Sequence, residues 1–282
     1  MPHDSSGSHA SPLLEITPEP QWSAGIREAW QFRELFYFLI WRDVKVRYKQ
    51  TFLGVLWALL QPMAMMLVFA LFLGRYAHVP SNGAPYALMF LAALVPWQLF
   101  AHAVGGASDS LVTNEQLVTK VYFPRMIVPA SAVGAAGVDY VIGLGVVAAA
   151  LAWYRVTPTP ALLLLIPLTI LAGLASFGVG LGLAALNVRY RDVRHAVGFV
   201  LQLWMFLTPV VYPMSVVPPR FRLLYALNPM AGIVEGVRWS LLHPKTSFPI
   251  RELGVSIVTT LLILAVAVIY FRRMEDSFAD TI

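Results

Sequence analysis

Apolar residues run through this chain in long blocks, and the short intervals between them hold most of the charge. A helix needs about 20 mainly apolar residues to cross the hydrocarbon layer. Six blocks approach that length, at about residues 52–73, 86–104, 127–152, 161–186, 196–212 and 253–271, the fifth being short. Pro62 and Pro96 fall inside the first two, where each removes a backbone donor and leaves carbonyls for neighbouring helices to satisfy.

Ahead of the first block, residues 26–46 have a mixed pattern. Trp30, Arg33, Tyr37, Ile40, Trp41 and Val44 recur on one side at helical spacing, while Leu35, Phe38 and Leu39 make the other side apolar too. Such a helix suits the headgroup layer with a second surface against protein; a plain amphipathic anchor is the simpler alternative. Between the fifth and sixth blocks, residues 220–227 and 230–242 are apolar but too short to cross, and Asn228 and Pro229 separate them. Pieces of this kind are re-entrant or interfacial. The expected fold is therefore an all-α integral membrane protein. It has six transmembrane helices, an N-terminal amphipathic interface helix, and re-entrant helices on the extracytoplasmic side between the fifth and sixth spans.

Two shorter connections have content of their own. SDSLVTNEQLVTKVYFPR (108–125) offers Ser108 and Asp109 as helix caps, continues as a short helix and stops at Pro124. NVRYRDVRH (187–195) is a basic turn in which Asp192 can pair with Arg189 or Arg191, and its simpler reading is a topological anchor. Gly178, Gly180 and Gly182, and Ser131, Gly134 and Ala135, are small enough to bring helices close, with Gly178 and Gly182 at GxxxG spacing. No internal repeat is visible.

Composition agrees with the pattern. The 282 residues are 58% hydrophobic and 12% charged, with a mean hydropathy of +0.68, whereas soluble domains are about a quarter charged. The net charge of +5 sits beside apolar blocks, which points to lipid headgroups and orientation rather than nucleic acid. With the N-terminus inside, thirteen of the twenty Lys and Arg fall on inner segments, so both termini are expected to be cytoplasmic. Residues 1–24, rich in Ser, Pro and His, read as a disordered cytoplasmic tail without the basic start and apolar core of a signal peptide, and 25–282 as one transmembrane domain. The lack of cysteine excludes disulfides, thiolate metal sites and a cysteine nucleophile.

Chemistry is sparse. There is no GxSxG, no HExxH and no clustering of the six histidines. None of the lysines (Lys45, Lys49, Lys120, Lys245) follows a glycine, so the chain has no GxxxxGK[ST] phosphate loop for ATP. Asp139 is the single acid well inside an expected span. It is an ion site or a group bonded to a neighbouring helix, and with no second acid at its depth the structural role is favoured. Glu235, three residues before Arg238, fits a helical ion pair acting as a clasp. Trp57, Trp97, Phe100, Trp204, Phe206, Tyr212 and Trp239 belong by default to interfacial belts or packing. Any that face a central path would suit the C–H faces of sugar rings.

Six segments in order carry a more specific signal: WRDVKVRYKQTFLGVLWALLQP (41–62), KVYFPRMIVP (120–129), NVRYRDV (187–193), TPVVYP (208–213), NPMAGIVEGVRWSLL (228–242) and FRRMEDSFADTI (271–282). Together they resemble the membrane subunit of type-2 ABC exporters, specifically those moving lipid-linked polysaccharides such as O-antigen, capsule or teichoic acid. The resemblance implies a multi-pass protein of the bacterial inner membrane that pairs with a second copy of itself and with two copies of a separate ATPase. No cofactor would be bound by this chain; ATP and Mg would sit on the ATPase. Trp30, Arg33, Tyr37, Asn114, Leu117, Lys120, Phe123 and Arg125 would contact that ATPase. Arg42, Lys45, Arg47, Tyr48 and Lys49 would meet the diphosphate of the lipid carrier, or surrounding headgroups, at the substrate intake. Trp57, Trp97, Phe100, Trp204 and Phe206 would line the channel, and Tyr212, Asn228, Pro229, Glu235 and Arg238 would form an outer gate. Export of a small drug or lipid is the alternative within the class. A membrane-embedded lipid-sugar transferase is the alternative outside it, and would need an acid or histidine cluster at one depth.

Overall fold

A computed structural model describes residues 31–49, 54, 56–243 and 247–275. The expected tail at 1–24 and Trp30 lie outside these residues. The elements are α1 (Arg33–Lys49), α2 (Leu56–Phe69) with a π-helical continuation (Ala70–Tyr76), α3 (Tyr86–Thr113), α4 (Glu115–Lys120), α5 (Ile127–Trp153), a 3-10 turn (Pro160–Leu164) leading into α6 (Leu165–Arg189), α7 (Val193–Leu207), a 3-10 turn (Met214–Val216), α8 (Pro219–Tyr225), α9 (Pro229–Leu242) and α10 (Ile250–Glu275). No strand occurs among the described residues.

Among the described residues, five helices are long and apolar enough to cross a membrane: Leu56–Tyr76, Tyr86–Thr113, Ile127–Trp153, Pro160–Arg189 and Ile250–Glu275. They coincide with five of the six expected spans. The remaining block forms α7, which stops after 15 residues. Thr208 takes up an extended backbone there and Pro209 follows.

The bundle is built around α3, against which α2, α5, α6 and α9 all pack. Every residue from Leu88 to Trp97 is buried, Pro96 included. By contrast α2 buries only Pro62. Ser108 and Asp109 do not cap a new helix, because α3 continues through them. The Ser108 and Ser110 hydroxyls donate to Gly105 O (2.8 Å) and Ala107 O (2.7 Å) within the helix. The break falls instead at Asn114, whose Nδ2 donates to Ser110 O at 2.7 Å.

Close helix approaches occur at particular glycines. A Cβ on Gly180 would lie 2.6 Å from the Ala107 Cβ of α3, and one on Gly178 would lie 3.1 Å from the Leu264 backbone of α10. At Gly182 the nearest atom would be 3.8 Å away, an ordinary contact. The working pair is thus Gly178 with Gly180, each facing a different helix, and not the GxxxG pair.

At the end of the bundle where α3 and α6 finish and α5 begins, a second core gathers Leu39, Leu111, Val118, Phe123, Ile127 and Phe271. Asn187 Nδ2 donates to Ser108 O (3.0 Å) and Asp109 Oδ1 (3.2 Å), tying α6 to α3. Arg194 Nε lies 3.4 Å from Asp109. The acid paired with the basic turn is therefore Asp109, which reaches it from α3.

Candidate functional site

Asp139 sits in α5, about 21 Å along the helix from Trp153 at 1.5 Å per residue. The element that reaches it is α1. Gly134 sets the approach, since a Cβ there would stand 2.5 Å from Cδ1 of Ile40, and only a hydrogen fits. With Ile40 seated on Gly134, the last turn of α1 arrives beside Asp139. The Arg47 guanidinium and the Tyr48 hydroxyl both donate to its carboxylate. Burial first, and then the bond to Asp139, push the Tyr48 phenol well above its ordinary pKa, which keeps it a donor. His102 Nδ1 of α3 lies 3.8 Å from the same carboxylate. Bonding to a neighbouring helix, the favoured sequence reading of Asp139, agrees with this geometry.

These groups line a cavity of about 400 Å³ between α2, α3 and α5. Gln61 and Gln98 add two amides to its polar side, while Trp57, Val95 and Leu99 supply apolar wall. The other cations of α1 are held differently. Arg42 pairs with Asp43 at 2.8 Å, Lys45 Nζ lies 5.3 Å from the Trp41 ring centre, and Lys49 is exposed. The five intake residues thus lie on one helix, but Arg47 and Tyr48 are engaged inside the chain.

The residues expected at the ATPase contact divide in two. Tyr37 and Lys120 are exposed, and Arg33 lies on the exposed side of α1. Phe123 is buried in the second core with Leu117 packed against it, and Arg125 donates to the Glu275 carbonyl. Asn114 breaks the helix. The sequence reading missed Tyr122, an aromatic 91% exposed beside buried Phe123.

The five aromatics expected along a channel do not share one surface. Phe100 is fully buried and Trp97 nearly so. Phe100 meets Trp204 edge to face, with ring centres 5.1 Å apart. Trp97 and Phe100 pack the bundle, which corrects their expected channel role, because a ring sealed among helices presents no face to a passing sugar; Trp204 is half-buried. Trp57 and Phe206 are exposed.

The outer set forms a tightly bonded turn. Arg238 is 2% exposed, pairs with Glu235 at 2.5 Å, and donates to the carbonyls of Met89 (3.3 Å), Pro209 (2.7 Å) and Val210 (3.1 Å). Tyr86 OH donates to the next carbonyl, that of Val211, at 2.7 Å. Three successive carbonyls beyond the end of α7 are thereby satisfied by side chains, as non-helical backbone inside a membrane protein requires. Asn228 caps α9 by accepting from Met230 N (3.1 Å) and donates to Thr208 Oγ1 (2.8 Å), with Pro229 in the first turn. Tyr212 OH meets Tyr225 OH and donates to Phe206 O at 2.9 Å. The clasp expected of Glu235 and Arg238 is present; Tyr86 was not readable as its partner.

A polar, charge-paired cavity thus lies inside an apolar bundle with five candidate spans among the described residues, the architecture of a multi-pass membrane protein. The sequence profile of the ABC-2 type transporter family matches residues 34–242, and the chain belongs to that family. It is a transporter permease and not an enzyme. It is 32% identical over 262 residues to an O-antigen export system permease protein, RfbA, of Myxococcus xanthus, covering 91% of this chain and 98% of the relative. An RfbA permease of Klebsiella pneumoniae is 27% identical over 242 residues, covering 85% and 91%. The polysialic acid transport protein KpsM of Escherichia coli is 21% identical over 247 residues, covering 85% and 93%.

Proposed function

We propose that this chain is the transmembrane subunit of an ATP-driven exporter that carries lipid-linked polysaccharide from the cytoplasmic to the outer side of a bacterial inner membrane. The observation that carries the reading is similarity along nearly the whole chain to permeases named for O-antigen export. ATP and Mg are handled by a separate ATPase subunit, two copies of which act with two copies of this chain. The exposed face of α1 with Tyr37, together with Lys120 and Tyr122, is the surface offered to that ATPase.

In this reading both termini are cytoplasmic, supported by the excess of Lys and Arg on the corresponding segments. The α7 helix is the fifth of six crossings. Its 15 residues span about 22 Å of a layer about 30 Å thick, and the side-chain-bonded segment 208–213 completes the passage. The α8 and α9 helices re-enter from the outer side and close the exit. The basic residues of α1 meet the carrier's phosphates at the cytoplasmic face.

Deletion of the gene tests the reading. Surface polysaccharide should be lost while lipid-linked polymer accumulates inside, and the intact gene should restore export. Unchanged surface polymer with altered susceptibility to small toxic compounds would favour the drug or lipid exporter.

A further inference from the structure

Two donors of α1, the Arg47 guanidinium and the Tyr48 phenol, end on one carboxylate in the cavity wall. The partners are unequally covered, for the Arg47 side chain is 41% exposed and that of Asp139 only 14%. A molecule coming from the surface meets the cation first. Arginine binds carboxylate and phosphate in the same forked geometry, and a phosphate group brings at least as many acceptor oxygens. Exchange of one anion for the other keeps Arg47 paired throughout. Asp139 gives up both donors in the exchange and keeps His102 Nδ1 at 3.8 Å, beyond hydrogen-bond distance, so the ligand's own contacts must offset that loss.

The rest of the cavity suits a headgroup more than a free ion. Gln61 and Gln98 offer amide donors, and Trp57 and Leu99 offer an apolar wall for the first carbons of a chain. Lys45 and Lys49, exposed on the same helix, bias the approach toward an anion.

We infer that Asp139 is an internal stand-in for a phosphate-bearing lipid headgroup, which on entering the cavity takes Arg47 and Tyr48 from it and frees the last turn of α1 from α5. The choice of a lipid phosphate rests on the exporter reading above; the exchange itself does not. It makes Asp139 a positioning residue that sets the resting state and competes with the ligand.

The natural chain contains no cysteine, so labels can be placed without removing any. Val46 and Val141, 55% and 66% exposed, sit beside the two halves of the contact. The full chain carrying V46C and V141C is spin-labelled in nanodiscs of neutral lipid, with singly labelled chains supplying any distance between copies. Farnesyl diphosphate should shift the V46C to V141C distance to a longer population. Asp139→Asn should show that population without ligand and bind farnesyl diphosphate about threefold more tightly, as loss of a competing, partly exposed ion pair implies. Arg47→Gln should abolish the response. A shift produced equally by inorganic pyrophosphate would overturn the lipid part and assign the exchange to free phosphate. Distances that neither probe moves, with farnesyl diphosphate affinity unaffected by Arg47→Gln, would overturn the proposal. If Asp139→Asn does not fold, the titration of the Asp139-containing chain decides. None of these outcomes touches the deletion phenotype, so the exporter reading and the exchange fail separately.

Discussion

Arg47 and Asp139, 92 positions apart in the chain, form the ion pair that fastens α1 to the bundle. The contact depends on Gly134, where Ile40 seats about two turns earlier along α1. Basic residues that orientation alone would explain therefore divide into a structural one, Arg47, and exposed ones, Lys45 and Lys49.

That division is measurable. Arg47→Gln should destabilise the purified permease by about 1 kcal/mol, the scale of a partly exposed pair, whereas Lys49→Gln should leave its melting temperature unchanged. Both should lower polymer export while insertion stays intact. Equal melting temperatures for the two variants would argue against the fastening role.

The glycines of α6 separate close approach from motif. Gly180→Ala places a methyl 2.6 Å from Ala107 and should cost about 1–3 kcal/mol by overpacking. Gly182→Ala, with its nearest neighbour at 3.8 Å, should be tolerated. Thermal unfolding in detergent distinguishes them, and the reverse order would show that the α3–α6 packing is misassigned.

Arg238 holds the turn beyond α7. Its removal leaves Glu235 and the carbonyls of Met89, Pro209 and Val210 without their donor. Arg238→Ala should cost about 3 kcal/mol or more, the cost of breaking a buried pair, and reduce the yield of folded protein. Asn228→Ala removes a helix cap and should cost about 1 kcal/mol. Size-exclusion profiles after graded heating would order the two, and an Arg238→Ala chain as stable as its parent would refute the clasp.

Much of this architecture could be read from residues alone, because block length and composition report membrane crossing directly. The five long spans begin or end within a few residues of expectation wherever a proline or charge marks the boundary, as at Ile127 and Tyr86. The end of α3 was misplaced because Ser108 and Asp109 have the chemistry of caps, yet their carbonyl and carboxylate are taken by Asn187 and Arg194 from distant segments. The site was half visible. Asp139 stood out as the single intramembrane acid, but pairing it with Arg47 requires knowing that α1 runs on to Lys49 and lies against Gly134. Gln61, Gln98 and His102 carried no periodic signal, since they come together from two separate helices, α2 and α3. Aromatic type alone did not separate buried Phe100 from exposed Trp57.

The exposed aromatic Tyr122 has no packing duty in this chain to lose. Tyr122→Ala and Lys120→Glu should reduce co-purification of the ATPase while the permease keeps its melting temperature. Undiminished recovery of the ATPase would move the contact elsewhere.

The central claim is tested most directly by transport in proteoliposomes holding the permease with its ATPase and lipid-linked polymer. The account predicts that ATP moves the polymer to the lumen, where an impermeant glycosidase cannot reach it, and that a hydrolysis-deficient ATPase leaves it exposed. Polymer that stays fully accessible while the complex hydrolyses ATP would contradict it.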